Sequence, residues 1–323
     1  MPNLTGSRLF CREVHLTLGV PDISTLLVDA DFATADNNGL KVDGLDIDFS
    51  IEKSLKATEA NKCELSVFNM TEPHRQALGG AKALTVRLEA GYQGATQLLY
   101  LGNVRSAFSE RVGTGMADFV TKISSEDTKA RLTAVGESQK LVPGQAAVQI
   151  PLGPRTTVEA AIQALAAALG KNANGKAVQA KVDTSNLGDV GSLTINGSAV
   201  LGDARQRLTD ICRSAGLEWS VQDGVVQLLN VGKALSTTDA VYISPDTGLV
   251  ESPSVDSQGY VQAKTLLIKG IAPGALVKFI GPGDPSGLAP CLFVQGGYRV
   301  DKCRYDGSTY KKEFYCEMTC KPF

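Results

Sequence analysis

From Leu40 to Asn69 apolar and polar positions alternate with a period of two. Ile47, Phe49 and Ile51 alternate with Asp46, Asp48, Ser50 and Glu52, and Leu65 and Val67 with Glu64, Ser66 and Phe68. A period of two is that of a strand whose successive side chains point to opposite faces, so the pattern predicts strands with one wet face. A helical or turn segment is expected around Thr71 to Leu78. Alternation then resumes in Leu84, Val86, Leu88 and Ala90, in Leu98 to Val104, and in Phe119 to Ser125. Regularly spaced strands of this kind, broken by Gly pairs and polar turns, predict a small antiparallel barrel or sandwich.

Between Gly144 and Asn230 the period becomes helical. In TTVEAAIQALAAALG, Thr156 and Glu159 are spaced as a capping box, Val158, Ile162, Leu165 and Leu169 form one apolar stripe, and Gly170 is placed to end the helix. A second helix is expected in DARQRLTDICRSAG, with Asp203 as N-cap, Leu208, Ile211, Cys212 and Ala215 inward, and Gly216 at the stop. Directly after it, Leu217, Trp219 and Val221 alternate, Asp223 and Gly224 make a turn, and Val226 and Leu228 return, which predicts a hairpin with Trp219 in its core. From Ala240 to Phe323 the β pattern comes back, cut by Pro273, Gly274, Gly281, Pro282, Gly283, Pro285, Gly287 and Pro290 into short strands with tight loops. The order is β, α+β, β, with boundaries expected at 1–140, 141–239 and 240–323.

Composition changes this picture little. A chain of 323 residues, 43% hydrophobic and 20% charged, is long enough for two or three globular domains. A net charge of −2 without any block of Lys or Arg argues against nucleic acid as a bound ligand. No apolar run reaches the ~18 residues of a membrane helix, and Met1 to Phe10 lacks the basic and apolar parts of a signal peptide, so the chain is expected to stay in the cytoplasm in which it is made.

Candidate chemistry is sparse. Seven cysteines, an odd number, do not make a paired framework. Four of them, Cys291, Cys303, Cys316 and Cys320, crowd the C-terminal end, but Glu313 to Cys320 reads as a strand, where residues four apart lie about 13 Å from each other. Two thiolates at ~2.3 Å from one zinc cannot be that far apart, so these cysteines are expected as small buried hydrophobes. His15 lies in the alternating EVHLTL and His74 follows Pro73 in a polar turn, neither near a nucleophile signature. Asp43, Asp46 and Asp48 lack the spacing and closing Glu of a calcium loop and are expected on a solvated strand face. GGYRV and GPGDPSG are turn chemistry, too irregular to cradle a phosphate. No catalytic, cofactor-binding or metal-binding residue is assigned and no cofactor is expected.

The absence of enzyme chemistry gives weight to a different pattern. TGLVESP (Thr247 to Pro253), VQAKTLLIKGIAPGALVKF (Val261 to Phe279) and GGYRVDKCRYDGSTYKKEFYCEM (Gly296 to Met318) resemble, in order, the late segments of baseplate hub proteins of contractile-tailed bacteriophages and related injection machines. In that family a TGL turn precedes an apolar strand, a PG turn leads to a second strand, and a hairpin closes the chain. Gly44 to Thr71 is similar to the hub's first hairpin, Leu88 to Tyr92 and Tyr100 to Val104 to the strands after it, and the helical and hairpin segments fall where hubs carry an insertion. Near Tyr305 the chain reads YDGS where relatives have a histidine in an H-x-G-D turn, which puts any role of that histidine in doubt.

The resemblance implies a mainly β protein with an α+β insertion, two small tube-like β-barrel domains flanking a helix and hairpin domain. It implies a homotrimer that joins the hexameric tail tube to the trimeric central spike as a symmetry adaptor, with tape measure and baseplate wedge proteins as further partners. DNA would pass through without specific binding, in a virion assembled in the host cytoplasm. A carbohydrate-binding surface β-protein and, less well supported, a cell-wall hydrolase are the alternatives. If both β regions packed into one continuous sheet with the helices in its centre, the adaptor mechanism would lose its basis and the hub assignment would have to be withdrawn.

Overall fold

A computed structural model describes residues 11–19, 39–42, 44–56, 59–80, 84–112, 119–126, 148–151, 155–169, 181–195, 199–202, 204–236, 238–280 and 296–322. Asp43, Gly170, Asp203, Cys291 and the GPGDPSG turn lie outside these residues. The first strands are β1 (Arg12–Gly19), β2 (Gly39–Val42), β3 (Ile47–Ser54), β4 (Lys62–Phe68), β5 (Thr85–Tyr92), β6 (Gln97–Arg111) and β7 (Phe119–Glu126). The middle of the chain carries β8 (Val148–Pro151), β9 (Thr156–Thr157), β10 (Lys181–Asp183), β11 (Thr194–Ile195), β12 (Ala199–Gly202), β13 (Leu217–Gln222) and β14 (Val225–Asn230). Last come β15 (Val241–Ile243), β16 (Ser254–Val255), β17 (Val261–Leu266), β18 (Leu276–Phe279), β19 (Gly297–Ser308) and β20 (Phe314–Pro322). The described α-helices are α1 (Glu72–Gly80), α2 (Val158–Leu169) and α3 (Ala204–Ser214). The protein is mainly β with an α+β insertion.

Two compact units result, one of Met1–Ser54, Asn61–Glu126 and Ser236–Phe323, the other of Leu55–Ala60 and Asp127–Leu235. In the first, both β regions join a 13-stranded sheet with the order β16-β17-β20-β19-β3-β4-β7-β6-β5-β1-β2, to which β18 and β15 are attached beside β19. The regions read as separate β-domains are therefore hydrogen-bonded to each other through β3 and β19. The helices α2 and α3 belong to the other unit.

Two long strands make this arrangement possible, because each changes partner at a bulge. Strand β19 pairs with β18 over Gly297 to Arg299, shifts register between Val300 and Lys302, and then pairs with β3 from Lys302 to Ser308. The ion pair from buried Arg299 Nε to Asp301 Oδ1, 2.7 Å, sits at that bulge. Strand β6 likewise pairs with β5 up to Asn103, shifts between Val104 and Ser106, and runs on against β7 to Arg111. A bulge bends a strand and strengthens its twist, which lets one strand serve two sheet segments.

One core serves the whole unit. Ile47, Phe49 and Ile51 of β3, Leu16 and Leu18 of β1, Val86 and Leu88 of β5, and Val300, Phe314 and Met318 of the C-terminal hairpin pack in a single cluster. Phe314 sits edge-on to both Phe49 (centroids 6.1 Å) and Tyr92 (5.4 Å), tying the two β regions together by aromatic contact. Across the β3–β19 seam Phe49 is opposite Gly307, and a Cβ on Gly307 would lie 2.2 Å from Phe49 Cζ. The glycine is there for space: the ring occupies the volume its side chain would need.

The TGL segment folds into a 3₁₀ turn, Pro245–Thr247. Ser244 and Thr247 cap each other, the Thr247 N–H donating to Ser244 Oγ (3.2 Å) and the Ser244 N–H to Thr247 Oγ1 (2.7 Å). Gly248 then takes φ +116°, which a side chain would resist, and turns the chain onto the edge of β17. The PG turn has Gly274 at φ +92° with the Ala275 N–H donating to the Ala272 carbonyl (3.0 Å), and it leads into β18.

In the second unit Val158, Ile162 and Leu165 of α2 are buried with Leu208 and Cys212 of α3 against Trp219, Val226 and Leu228 of the β13–β14 hairpin. Asp223 and Gly224, at φ +51° and +83°, make its two-residue turn, as Asp-Gly pairs do in primed turns. Gly216 at φ +69° stops α3 as expected. The cap of α2 differs from the expected one. Thr156 pairs with Ile195 in a short ladder, and Thr157 Oγ1 accepts from the Ala160 N–H at 3.2 Å, so the helix starts one residue later.

Candidate functional site

The feature that spans both β regions is the wet face of the sheet. Cross-strand register places Glu126 of β7 opposite Lys62 of β4, Lys62 opposite Glu52 of β3, and Glu52 opposite Arg304 of β19. Arg304 in turn faces Glu317 of β20, which faces Lys264 of β17. The row is extended at one end by Arg105 of β6, whose Nη2 lies 2.8 Å from Glu126 Oε2, and at the other by Glu251, 4.0 Å from Lys264 Nζ. Along this line every charge is followed by one of opposite sign, from Arg105 to Glu251. Opposite charges directly across a strand pair are the favourable arrangement, each contributing about 0.2–1 kcal/mol.

Individual contacts agree with the ladder. Lys264 Nζ is 3.0 Å from Glu317 Oε1, and Arg304 Nε is 2.8 Å from Asp306 Oδ2 and its guanidinium 4.0 Å from Glu52. The hydrogen bond to Glu317 and, behind it, the nearby acids raise the pKa of Lys264; the hydrogen bond to Asp306 does the same for Arg304. Neighbouring strands are ~4.8 Å apart, less than the ~8 Å over which charge is screened at physiological salt, so the row's fields largely cancel before they reach a ligand. Such a face is well hydrated and electrostatically quiet.

One end of the face is pinned by a clamp. Arg12 of β1 donates to the carbonyls of Ser308 (3.4 Å), Lys311, Lys312 (3.0 Å) and Glu313 (3.5 Å), and its guanidinium lies 5.0 Å from the Phe314 ring centre. The turn it grips is also held from β3: Thr309 Oγ1 accepts from the Ile47 N–H and donates to Asp46 Oδ1, both 2.9 Å, and Lys311 pairs with Asp48. Thus Asp46 and Asp48, expected on a wet strand face, both work as anchors of the closing turn.

The remaining sequence candidates fall elsewhere. His15 is on β1 opposite Glu89. His74 lies in α1 and not in a turn, because Pro73 occupies the first helical turn, where its missing N–H costs nothing. Tyr305, expected near a turn, is inside β19 with its ring in the core; its hydroxyl donates to the Ile271 carbonyl at 2.6 Å and accepts from the Cys303 thiol at 3.2 Å. Cys303, Cys316 and Cys320 are buried, and burial pushes the thiols of Cys316 and Cys320 far up, away from the thiolate a metal needs. Among the described residues no cluster of His, Cys, Asp and Glu is placed to hold a metal ion, and no described helix is long and apolar enough to cross a membrane.

No family model matches the chain, and no curated protein matches it in sequence. Solved structures do. The chain is similar to a tail protein from Neisseria meningitidis MC58 with 13% identity and a TM-score of 0.58, over 97% of each chain. It is similar to the 43 kDa tail protein of prophage MuSo2 from Shewanella oneidensis with 8% identity and a TM-score of 0.55, over 96% of this chain and 97% of that one. The fold is that of these phage tail proteins. The same fold extends to the E. coli c3393 protein, a component of the type VI secretion system described as structurally similar to the T4 tail proteins gp27 and gp5; it matches with 10% identity and a TM-score of 0.51 over 86% of this chain and 74% of that one.

The ladder itself was missed by sequence reasoning. Each charge sits at an ordinary polar position of its own strand, and only the register between strands far apart in sequence reveals the alternation. Gly307, a glycine inside an alternating strand, was the available signal for the seam, since such a glycine marks a close approach.

Proposed function

We propose that this protein is a structural hub of a phage tail or related injection machine. It would act as a trimer in which two β regions per subunit present six similar elements to a hexameric tube on one side and a threefold spike on the other. The observation that carries this reading is the likeness of the fold to tail proteins over 97% and 96% of this chain.

The charge-paired face suits the wall of a DNA channel. A wall that lets DNA pass must not collect phosphates, and a surface whose cations are each matched by a neighbouring anion releases few counterions on contact with a phosphate backbone. Location in the tail of a virion and partnership with tube and spike proteins follow from this reading. The purified protein is expected to be trimeric by light scattering, at high concentration or with tube or spike protein present, and to appear as a ring when imaged. A chain that remains monomeric and joins neither partner overturns the proposal.

A further inference from the structure

The charge ladder ends in opposite signs, at the stretch of β6 that runs past the end of β5 and at the segment outside β17, and we propose that these two edges are where successive copies of this chain meet. This rests on the hub reading and goes on to name the contact surface. On the outer side of β6 the Val104 N–H still donates to the Leu84 carbonyl (2.8 Å); beyond it, among the described residues, no strand pairs with this side, and the stretch carries Arg105 and an exposed Phe108. At the far end the segment from Leu249 to Val255 is bonded inward to β17, through the Leu249–Thr265 bridge, the Val250 N–H to the Lys264 carbonyl, and the pairing of β16. Its outer side has no described partner, and it carries Glu251 and an exposed Val250.

Placed head to tail, the edge of one copy offers a cation and an apolar side chain where the next offers an anion and an apolar side chain. The alternation that runs through one subunit then continues unbroken into its neighbour. Like edges brought together would instead set Arg105 against Arg105 or Glu251 against Glu251, so the ladder disfavours a two-fold dimer and selects the heterologous contact that closes rings. Pro253 has no N–H to donate, so the joint is made chiefly by side chains and is specified by their charges.

The test uses three full-length variants, Arg105→Glu, Glu251→Arg, and the two together. Each single change puts like charges across every joint and is expected to raise the concentration at half-assembly by at least about tenfold in sedimentation measurements. The double variant restores unlike pairs at every joint and is expected to assemble within about threefold of the unmodified chain, with the rescue weakening in high salt. Unchanged circular dichroism of each variant excludes misfolding as the cause. If the unmodified chain forms trimers and the single variants do so equally well, or if the double variant is as impaired as either single, the edge assignment fails while the hub reading stands. If the unmodified chain assembles under no condition, alone or with tube or spike protein, both fail.

Discussion

Replacing Gly307 by Ala should damage the joint between the two β regions and little else. The new Cβ would lie 2.2 Å from Phe49 Cζ and under 3 Å from both Cε atoms, so the ring has to leave its place. That place is tight, because Phe49 is buried and packs edge-on against Phe314, which packs in turn on Tyr92. Forcing extra volume into a packed core costs about 1–3 kcal/mol, and we expect the upper half of that range because the displaced ring would disturb two further rings. Phe49→Ala alone should cost about 3–5 kcal/mol through loss of burial and the cavity left behind. In the double variant the methyl group introduced by Gly307→Ala enters the space the ring vacated. Its stability should therefore equal that of Phe49→Ala or exceed it, giving a coupling of about 2–3 kcal/mol against additivity. The assay must read the first unit, and Trp219 lies in the second, so near-ultraviolet dichroism of the tyrosines during thermal unfolding is the suitable signal. For a unit of this size each kcal/mol moves the midpoint by about 2–4 °C. Additive losses in the double variant, or a Gly307→Ala protein as stable as the parent, would refute the account of the seam.

Three further outcomes are expected. Burial pushes the Cys212 thiol up to about 12 from an ordinary value of 9.0; the unfolded chain then loses this proton from about pH 9 while the folded chain keeps it, so stability falls by up to ~1.4 kcal/mol per pH unit above pH 9, and Cys212→Ala should remove this slope from Trp219-monitored urea unfolding. Arg12→Ala should speed amide exchange across Lys311 to Glu313 and cost about 1–2 kcal/mol, with Arg12→Lys recovering only part because an ammonium cannot fork among several carbonyls; unchanged exchange would show that the clamp is idle. Duplex DNA should be retained weakly even at about 50 mM salt, and retention that is strong and falls steeply with salt would contradict a quiet sheet face.

What could be read from the sequence was what is decided locally. The Asp223–Gly224 turn, the stop at Gly216, the apolar stripe of α2 and the period of two in β3 and β4 each follow from rules that act within a few residues. The capping threonine of α2 was misplaced by one position because Thr156 and Thr157 both satisfy the local rule, and the choice fell to Ile195, which pairs with Thr156. His74 was assigned to a turn for a similar reason, since a proline opens helices as readily as it marks turns. The pairing of β3 with β19 left one local trace, Gly307, and nothing that names the partner strand. Glu52 and Arg304 are ordinary polar positions on their own strands, and they become partners where β19, past its bulge, pairs with β3. The resemblance to tail hubs supplied the order of the segments but not the register that lines up the ladder.

The span of the β3–β19 seam also governs how the protein comes into being. Strand β3 leaves the ribosome early, yet its partner and the residues that Arg12 grips belong to the final hairpin. Until β19 and β20 have been made, β3 keeps one open edge and Phe49 lacks its cover, whereas the helices and hairpin of the insertion have their core partners close by in sequence and can fold first. Loop closure over such a distance is slow, and an unpaired strand waiting in the cell is prone to join the wrong neighbour. A nascent chain cut short before Phe314 should thus hold a folded insertion while β3 has no finished partner, and residues made late are the ones that commit early ones to their place.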